Sequence, residues 1–372
     1  MKIKPFDVEQ WMDLYENDCT YNIAETCVDS LSLRELEELI GETGYFSNTL
    51  MDKRLTYGEI PGSKSFRKGV SGLFKNVSPE NILSTNGAIG ANFLALFTLI
   101  EPGDEIVSIV PTYQQHYSIP EALNANVKII KLKKENNFLP DLDELRSAVT
   151  SKTKLICMNN PNNPTGALMS ESKIMDIVKI AREADAYILC DEVYRHLNHE
   201  EGYAPSIVDL YEKGISSGSM SKVFSLAGLR LGWLVAPKEL IEKAYDMRHY
   251  NMISCGMLDE AIAAKALEHK DKVLERNLKI IRENLQILDK WVEDEPHITY
   301  VRPKAGTTAL LYYDMDIPSK TLCHDMMKSD GIMLVPGDCF EMGKSLRIGY
   351  AFNSEELEEG LHALSQYLRQ FD

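Results

Sequence analysis

The stretch SGSMSKVFSLAGLRLG, residues 217–232, decides how this chain is read. Lys222 stands there among small and hydroxyl-bearing residues, beside the apolar pair Val223–Phe224. Arg230 follows eight positions later inside the apolar run LAGLRLGWLV. A solvated lysine needs no such neighbours. An arginine in a greasy run is costly to bury without an anion to meet it. The plain alternatives are a surface lysine and an arginine in a structural ion pair.

Outward from this stretch, short apolar runs alternate with helical patterns. Strands are predicted at 81–85, 105–110, 127–132, 154–159, 186–191, 215–220 and 231–236. Most are bounded by Gly, Pro or Asn and are too apolar to be half-exposed. Between two of them, Ile174, Ile177, Val178, Ala181 and Ala184 keep the spacing of a helix face. Strand–helix–strand alternation implies an α/β fold with a mainly parallel sheet of seven strands covered by helices on both faces. Ligands of such sheets bind beyond the carboxyl ends of the strands. After about residue 237 a long helical stretch, 238–293, precedes strands at 298–302, 308–313, 333–336 and 345–351 and a closing helix from about 354. The expected division is an N-terminal segment, 1–35, irregular and packing on the small domain. A large domain, 36–237, and a smaller α+β domain, 238–372, follow.

Bulk properties remove several function classes. The 372 residues carry a net charge of −16, with 44% hydrophobic and 26% charged residues. Acidic residues are spread along the chain, which argues against nucleic-acid binding and against docking on anionic membranes. No apolar run approaches the ~18 residues that span a bilayer. The N-terminus MKIKPFDVEQWMDLYEND lacks the apolar core of a signal peptide. Seven cysteines without a Cys-x-x-Cys pair indicate free thiols in a reducing compartment and no metal centre. A cytoplasmic protein is expected.

Polar motifs gather at predicted strand ends. In NGAIGANFLALFTLI (86–100), Gly87 and small residues open a helix whose free N–H groups attract phosphate. NNPNNPTG (159–166) follows the strand KLICMN, and CDEVYRHL (190–197) ends another strand with Asp191 and, three positions on, Tyr194. Taken singly, each reads equally well as a steric glycine, a turn-rich loop or a helix cap.

In this order, the motifs resemble the fold-type-I pyridoxal-phosphate enzymes, the aspartate aminotransferase superfamily, in its class I/II branch. The resemblance runs from about Tyr57 to Arg347. It implies that Lys222 forms a Schiff base with pyridoxal 5'-phosphate and then moves the substrate α-proton. It implies that Asp191 keeps the pyridine nitrogen protonated. Tyr194 and Asn163 match the partners of the ring's phenolic oxygen, and Val193 and Tyr113 the groups on its two faces. Ser219, Ser221, Arg230, Gly87 and the backbone of Ala88 and Ile89 match the phosphate ligands. Tyr57 matches a tyrosine that reaches the phosphate of a neighbouring subunit, which implies a homodimer with shared active sites. Arg347 matches the arginine that clamps the substrate α-carboxylate, and Asn163 and Ala24 also fall at substrate-binding positions. The segment YNIAETCVDSL places Ala24 and Glu25 where small or flexible residues are usual. No motif ranks Arg54, Arg248 or Arg302 as a reader of a distal carboxylate.

The implied activity is transfer of an amino group between an L-amino acid and a 2-oxo acid. A β-eliminating C–S lyase or a cyclase acting on an unusual amino acid would use the same residues. A non-catalytic binding module of this fold is a third and remote reading.

Overall fold

The computed structural model describes residues 2–371. The chain enters through a short helix, Asp7–Tyr15, where irregular structure was expected. Its apolar residues are few, but Val8 and Trp11, three positions apart, are both buried. Trp11 Nε1 donates to the Leu334 carbonyl at 2.8 Å. The helix is therefore fixed by a distant contact that no local pattern announces. A two-residue strand, β1 (Tyr21–Asn22), then pairs in parallel with Ile332–Met333.

The large sheet contains β2 (Ile82–Thr85), β3 (Glu105–Val110), β4 (Asn126–Lys131), β5 (Thr153–Asn159), β6 (Tyr187–Asp191), β7 (Gly214–Ser219) and β8 (Gly232–Val235). Their spatial order is β2-β8-β7-β6-β5-β3-β4. β8 runs antiparallel to both neighbours, and the other pairings are parallel. Successive residues of a strand enter opposite layers. Leu155 and Cys157 of β5 pack in the core that contains the helix Gly87–Leu99. Ile156 and Met158 pack in the core under the helix Glu171–Glu183. In that helix the predicted face residues Ile174, Ile177, Val178 and Ala181 are buried, and Ala184 is its C-cap. Both faces are covered, which is why the strands read as continuous apolar runs.

A second sheet, antiparallel, contains β9 (Ile298–Tyr300), β10 (Thr308–Tyr313), β12 (Val335–Pro336) and β13 (Ser345–Gly349), ordered β12-β13-β10-β9. The partner of β1 is β11 (Ile332–Met333). Two expectations are corrected here. The single strand expected at 333–336 is two, β11 and β12, in different sheets, because Leu334 between them offers its carbonyl to Trp11. The long helical stretch is three helices, Lys238–Arg248, Met257–Glu268 and Lys270–Asp294. The first break is held by the buried Arg248 guanidinium, which donates to the carbonyls of Ser84, Ile60 and Ile253. Among the described residues no helix is long and apolar enough to cross a membrane.

Candidate active site

β5, β6 and β7 end side by side at Asn159, Asp191 and Ser219, and the helix Gly87–Leu99 begins beside them. These ends open into a cavity of about 410 Å³. Its far wall comes from the N-terminal segment and from Arg347 of β13.

Two glycines set the near wall. A methyl group on Gly232 would overlap the Gly87 carbonyl carbon and lie 2.7 Å from the Ala88 nitrogen. β8 can pass the helix start only without a side chain there. Gly87 adopts φ +69°, and a methyl on it would stand 3.2 Å from Arg230 Nη2. Arg230 is itself left-handed, at φ 50°. Its Nη1 donates to Ala227 O at 2.8 Å and approaches Ser221 Oγ at 3.5 Å, while Ser219 Oγ accepts from Ser221 N at 3.3 Å. The expectation that Arg230 is buried is corrected. It is exposed at the cavity edge, and among the described residues it makes no ion pair. The helix start, two hydroxyls and this free guanidinium form one donor-rich corner.

Asp191 is fully buried. Oδ2 accepts from Asn92 Nδ2 at 2.8 Å and Oδ1 from Val193 N at 3.1 Å. Among the described residues it makes no ion pair, and burial raises its pKa against the pull of Asn92, Val193 and Lys222. Asn163 donates its backbone N–H to Asn159 Oδ1 at 2.6 Å and leaves its side-chain oxygen buried without a partner. Tyr194 is buried beside Thr26, and burial raises its pKa. Tyr113 donates its hydroxyl to Glu9 Oε1 at 2.6 Å, with its ring 4.6 Å from that of Phe6. Val193 lines the cavity between Asp191 and Tyr194.

Lys222 Nζ donates to Thr26 Oγ1 at 2.6 Å and to Cys27 Sγ at 3.3 Å. Burial alone would lower its pKa; Cys27, Tyr194 and Glu25 more than offset that, and the ammonium is favoured. Burial drives the Cys27 thiol upward, against the pull of Lys222. Burial likewise opposes ionisation of Glu25, but Lys222 and hydrogen bonds from Cys27 and Thr26 hold its carboxyl below the ordinary range. These contacts follow from how the segment 22–27 is laid down. Gly349 N donates to Ile23 O at 2.9 Å, and a side chain on Gly349 would collide with the Glu25 backbone. Thr307 Oγ1 donates to Thr26 O at 2.7 Å.

Arg347 is 3% exposed. Its Nη2 donates to Ala24 O at 3.1 Å, and its Nε has no partner. The reading of Ala24 as a residue facing substrate is corrected: its side chain is fully buried, and only its carbonyl serves the site, through Arg347. Glu25, Thr26 and Cys27 face the cavity instead. The three arginines left unranked lie elsewhere. Arg248 is the buried tie described above, Arg302 pairs with Asp289 at 2.9 Å, and Arg54 is exposed away from the cavity. Tyr57 also does not reach this cavity. It is 75% exposed and lines a separate open groove with Gly58 and Cys255. The cavity adds residues that sequence reasoning missed: Glu9, Met12, Glu16, Thr26, Cys27 and Asn92. The seven-residue interval from Glu9 to Glu16, two helical turns, was the available signal for those two.

Residues 9–364 match the family model of aminotransferase class I and II. The chain belongs to the class I and II aminotransferases. Two curated proteins are each 30% identical to it. Capreomycidine synthase of Streptomyces vinaceus aligns over 91% of this chain and 84% of its own length. Aspartate aminotransferase of Pyrococcus horikoshii aligns over 84% and 83%. A solved PLP-dependent aminotransferase from Streptococcus suis superposes with TM-score 0.97 and 45% identity, covering 100% of this chain and 99% of its own. The class I and II aminotransferases use pyridoxal phosphate. The site of this family member fits that group. Asp191 is a buried anion without a cation, Arg230 a cation without an anion, and the start of the helix at Gly87 has free N–H groups beside it.

Proposed function

We propose that this chain is an aminotransferase moving an amino group between an L-amino acid and a 2-oxo acid. The observation that carries the reading is that Lys222 lines one cavity together with a buried carboxylate that makes no ion pair among the described residues, Asp191, and a buried arginine with a free Nε, Arg347. Pyridoxal phosphate, when bound, supplies an electron-withdrawing ring that makes the substrate α-proton acidic. Asp191 would hold the ring nitrogen in its protonated form. Ser219, Ser221, Arg230 and the backbone at Gly87, Ala88 and Ile89 would hold the phosphate. Asn163 and Tyr194 would meet the phenolic oxygen, and Tyr113 and Val193 the ring faces. Lys222 would anchor the coenzyme's aldehyde and then, as a free amine, take the proton from the Cα of the amino donor and, in the second half-reaction, give one to the Cα of the new amino acid. Arg347 would fix the α-carboxylate through the donors not used on Ala24, and Asn163 would border it. The N-terminal segment, by lying over Lys222, would keep water from the reacting carbon.

Tyr57 is proposed to act in the site of a second copy. Its exposure supports this, as does the exposed Leu55, which lines the same groove.

The 30% identity to capreomycidine synthase favours a second reading, a lyase or cyclase that begins from the same proton removal. One experiment tests the coenzyme and separates the two reactions. The chain is loaded with pyridoxal phosphate, reduced with borohydride and digested, and the adduct is located by mass. Label on Lys222 is expected, and label elsewhere overturns the proposal. The loaded enzyme is then offered amino acids with and without 2-oxoglutarate. Stoichiometric exchange of amino group for oxo group supports transfer. Ammonia release or a cyclised product without an acceptor supports the second reading.

A further inference from the structure

The cavity carries more negative charge than the proposed chemistry uses. Its ionisable lining is Glu9, Glu16, Glu25 and Asp191 against Lys222, Arg230 and Arg347. On the function proposed above, Asp191, Lys222 and Arg230 serve the coenzyme and Arg347 serves the substrate carboxylate. Glu9, Glu16 and Glu25 remain. Among the described residues none of the three makes an ion pair; Glu9 accepts from the Tyr113 hydroxyl and Glu25 from the N–H groups of Thr26 and Cys27. Glu16 feels burial first and then the like charges of Glu25 and Glu9, and its pKa rises in consequence. Glu25 and Glu9 act on Glu16 as like charges within the same cavity, and a cation beside them relieves that repulsion. Arg347 lines the same cavity and feels Glu25 and Glu9 without forming an ion pair with either; it is buried and has a free Nε, so it calls for an anion. A single ligand meeting both demands has a carboxylate at one end and a positive charge at the other.

We infer that the amino acid taken by this cavity has a cationic side chain, an ammonium or guanidinium, whose charged end is held by Glu9, Glu16 and Glu25 while Arg347 holds its α-carboxylate. The inference rests on the function proposed above and names its substrate class.

The test uses the coenzyme-loaded enzyme and the absorbance change of bound coenzyme on titration with charge-matched pairs: L-arginine against L-citrulline, and L-ornithine against L-norvaline. The cationic member of each pair is expected to bind about tenfold more tightly at low salt, with the gap shrinking as salt is added. Glu16→Gln is expected to narrow the gap roughly threefold, with the coenzyme spectrum intact as the folding control. Equal affinity within each pair, or a gap that Glu16→Gln does not alter, overturns the inference while leaving the proposed function standing. A chain that takes up no coenzyme overturns both.

Discussion

Asp191 and Glu25 are two carboxylates whose surroundings act in opposite directions. Burial raises Asp191 above its ordinary value of 3.8, so the folded chain holds that proton more tightly than the unfolded one. Stability is therefore lost as pH rises from the ordinary value through the raised one, and the ionised group remains a burden at neutral pH. Asp191→Asn should leave the coenzyme-free chain at least as resistant to heat as the native sequence, while lowering coenzyme affinity and turnover by about a thousandfold or more. Differential scanning calorimetry and activity assays read the two effects. A mutant less stable without coenzyme would show that the carboxylate is a structural asset. Glu25 is held below its ordinary 4.5, mainly against burial, by Lys222 and two N–H donors. Its contribution is present above that ordinary value and fades as pH falls through the depressed one. In Glu25→Gln, urea unfolding followed from about pH 7 downward should lose part of the native acid-induced decline. At Arg347 geometry matters as well as charge. Arg347→Lys keeps the cation but loses the paired donors, and KM for the amino acid should rise about tenfold or more with a smaller change in kcat.

At the scale of elements, two close contacts place the reactive groups. β8 slides against the start of the helix Gly87–Leu99 only because residue 232 has no side chain. Gly232→Ala should destabilise the chain by about 1–3 kcal/mol and weaken coenzyme binding, since the helix start at Gly87 and Ala88 must shift away from residue 232. Equilibrium denaturation and coenzyme titration report this, and unchanged values would mean the backbone yields freely. The N-terminal helix depends on Trp11, wedged against Leu334 between β11 and β12. Trp11→Ala removes a large buried ring and should cost about 3 kcal/mol. It should also release Glu9 from Tyr113. Proteolysis near the N-terminus should then quicken before any cut in the large sheet.

For the whole molecule, the proposed shared site makes a prediction that no single chain can satisfy. Tyr57→Ala and Lys222→Ala, each mostly inactive alone, should recover roughly a quarter of native activity when unfolded together and refolded. In a mixed pair one site collects both lesions and the other is spared. Activity that stays at the mean of the two parents would place Tyr57 outside the partner's site.

The sequence by itself determined the α/β class and the seven strands of the large sheet within a residue or so; the order of its motifs, through a family resemblance, singled out Lys222, Asp191, Tyr194, Asn163 and Arg347, all of which border the cavity. Those features are local: apolar runs buried on both faces, and polar residues at strand ends where the backbone must turn. Only the tertiary structure decided the rest. The helix Asp7–Tyr15 exists because Trp11 finds Leu334, more than three hundred residues away. Cys27 and Thr26 meet Lys222 because Gly349 leaves room for the Glu25 backbone. Arg230 proved exposed because its run ends in a left-handed turn at the cavity edge. Contacts between segments far apart in sequence leave no periodic trace in either partner, because neither side is patterned until the other is in place.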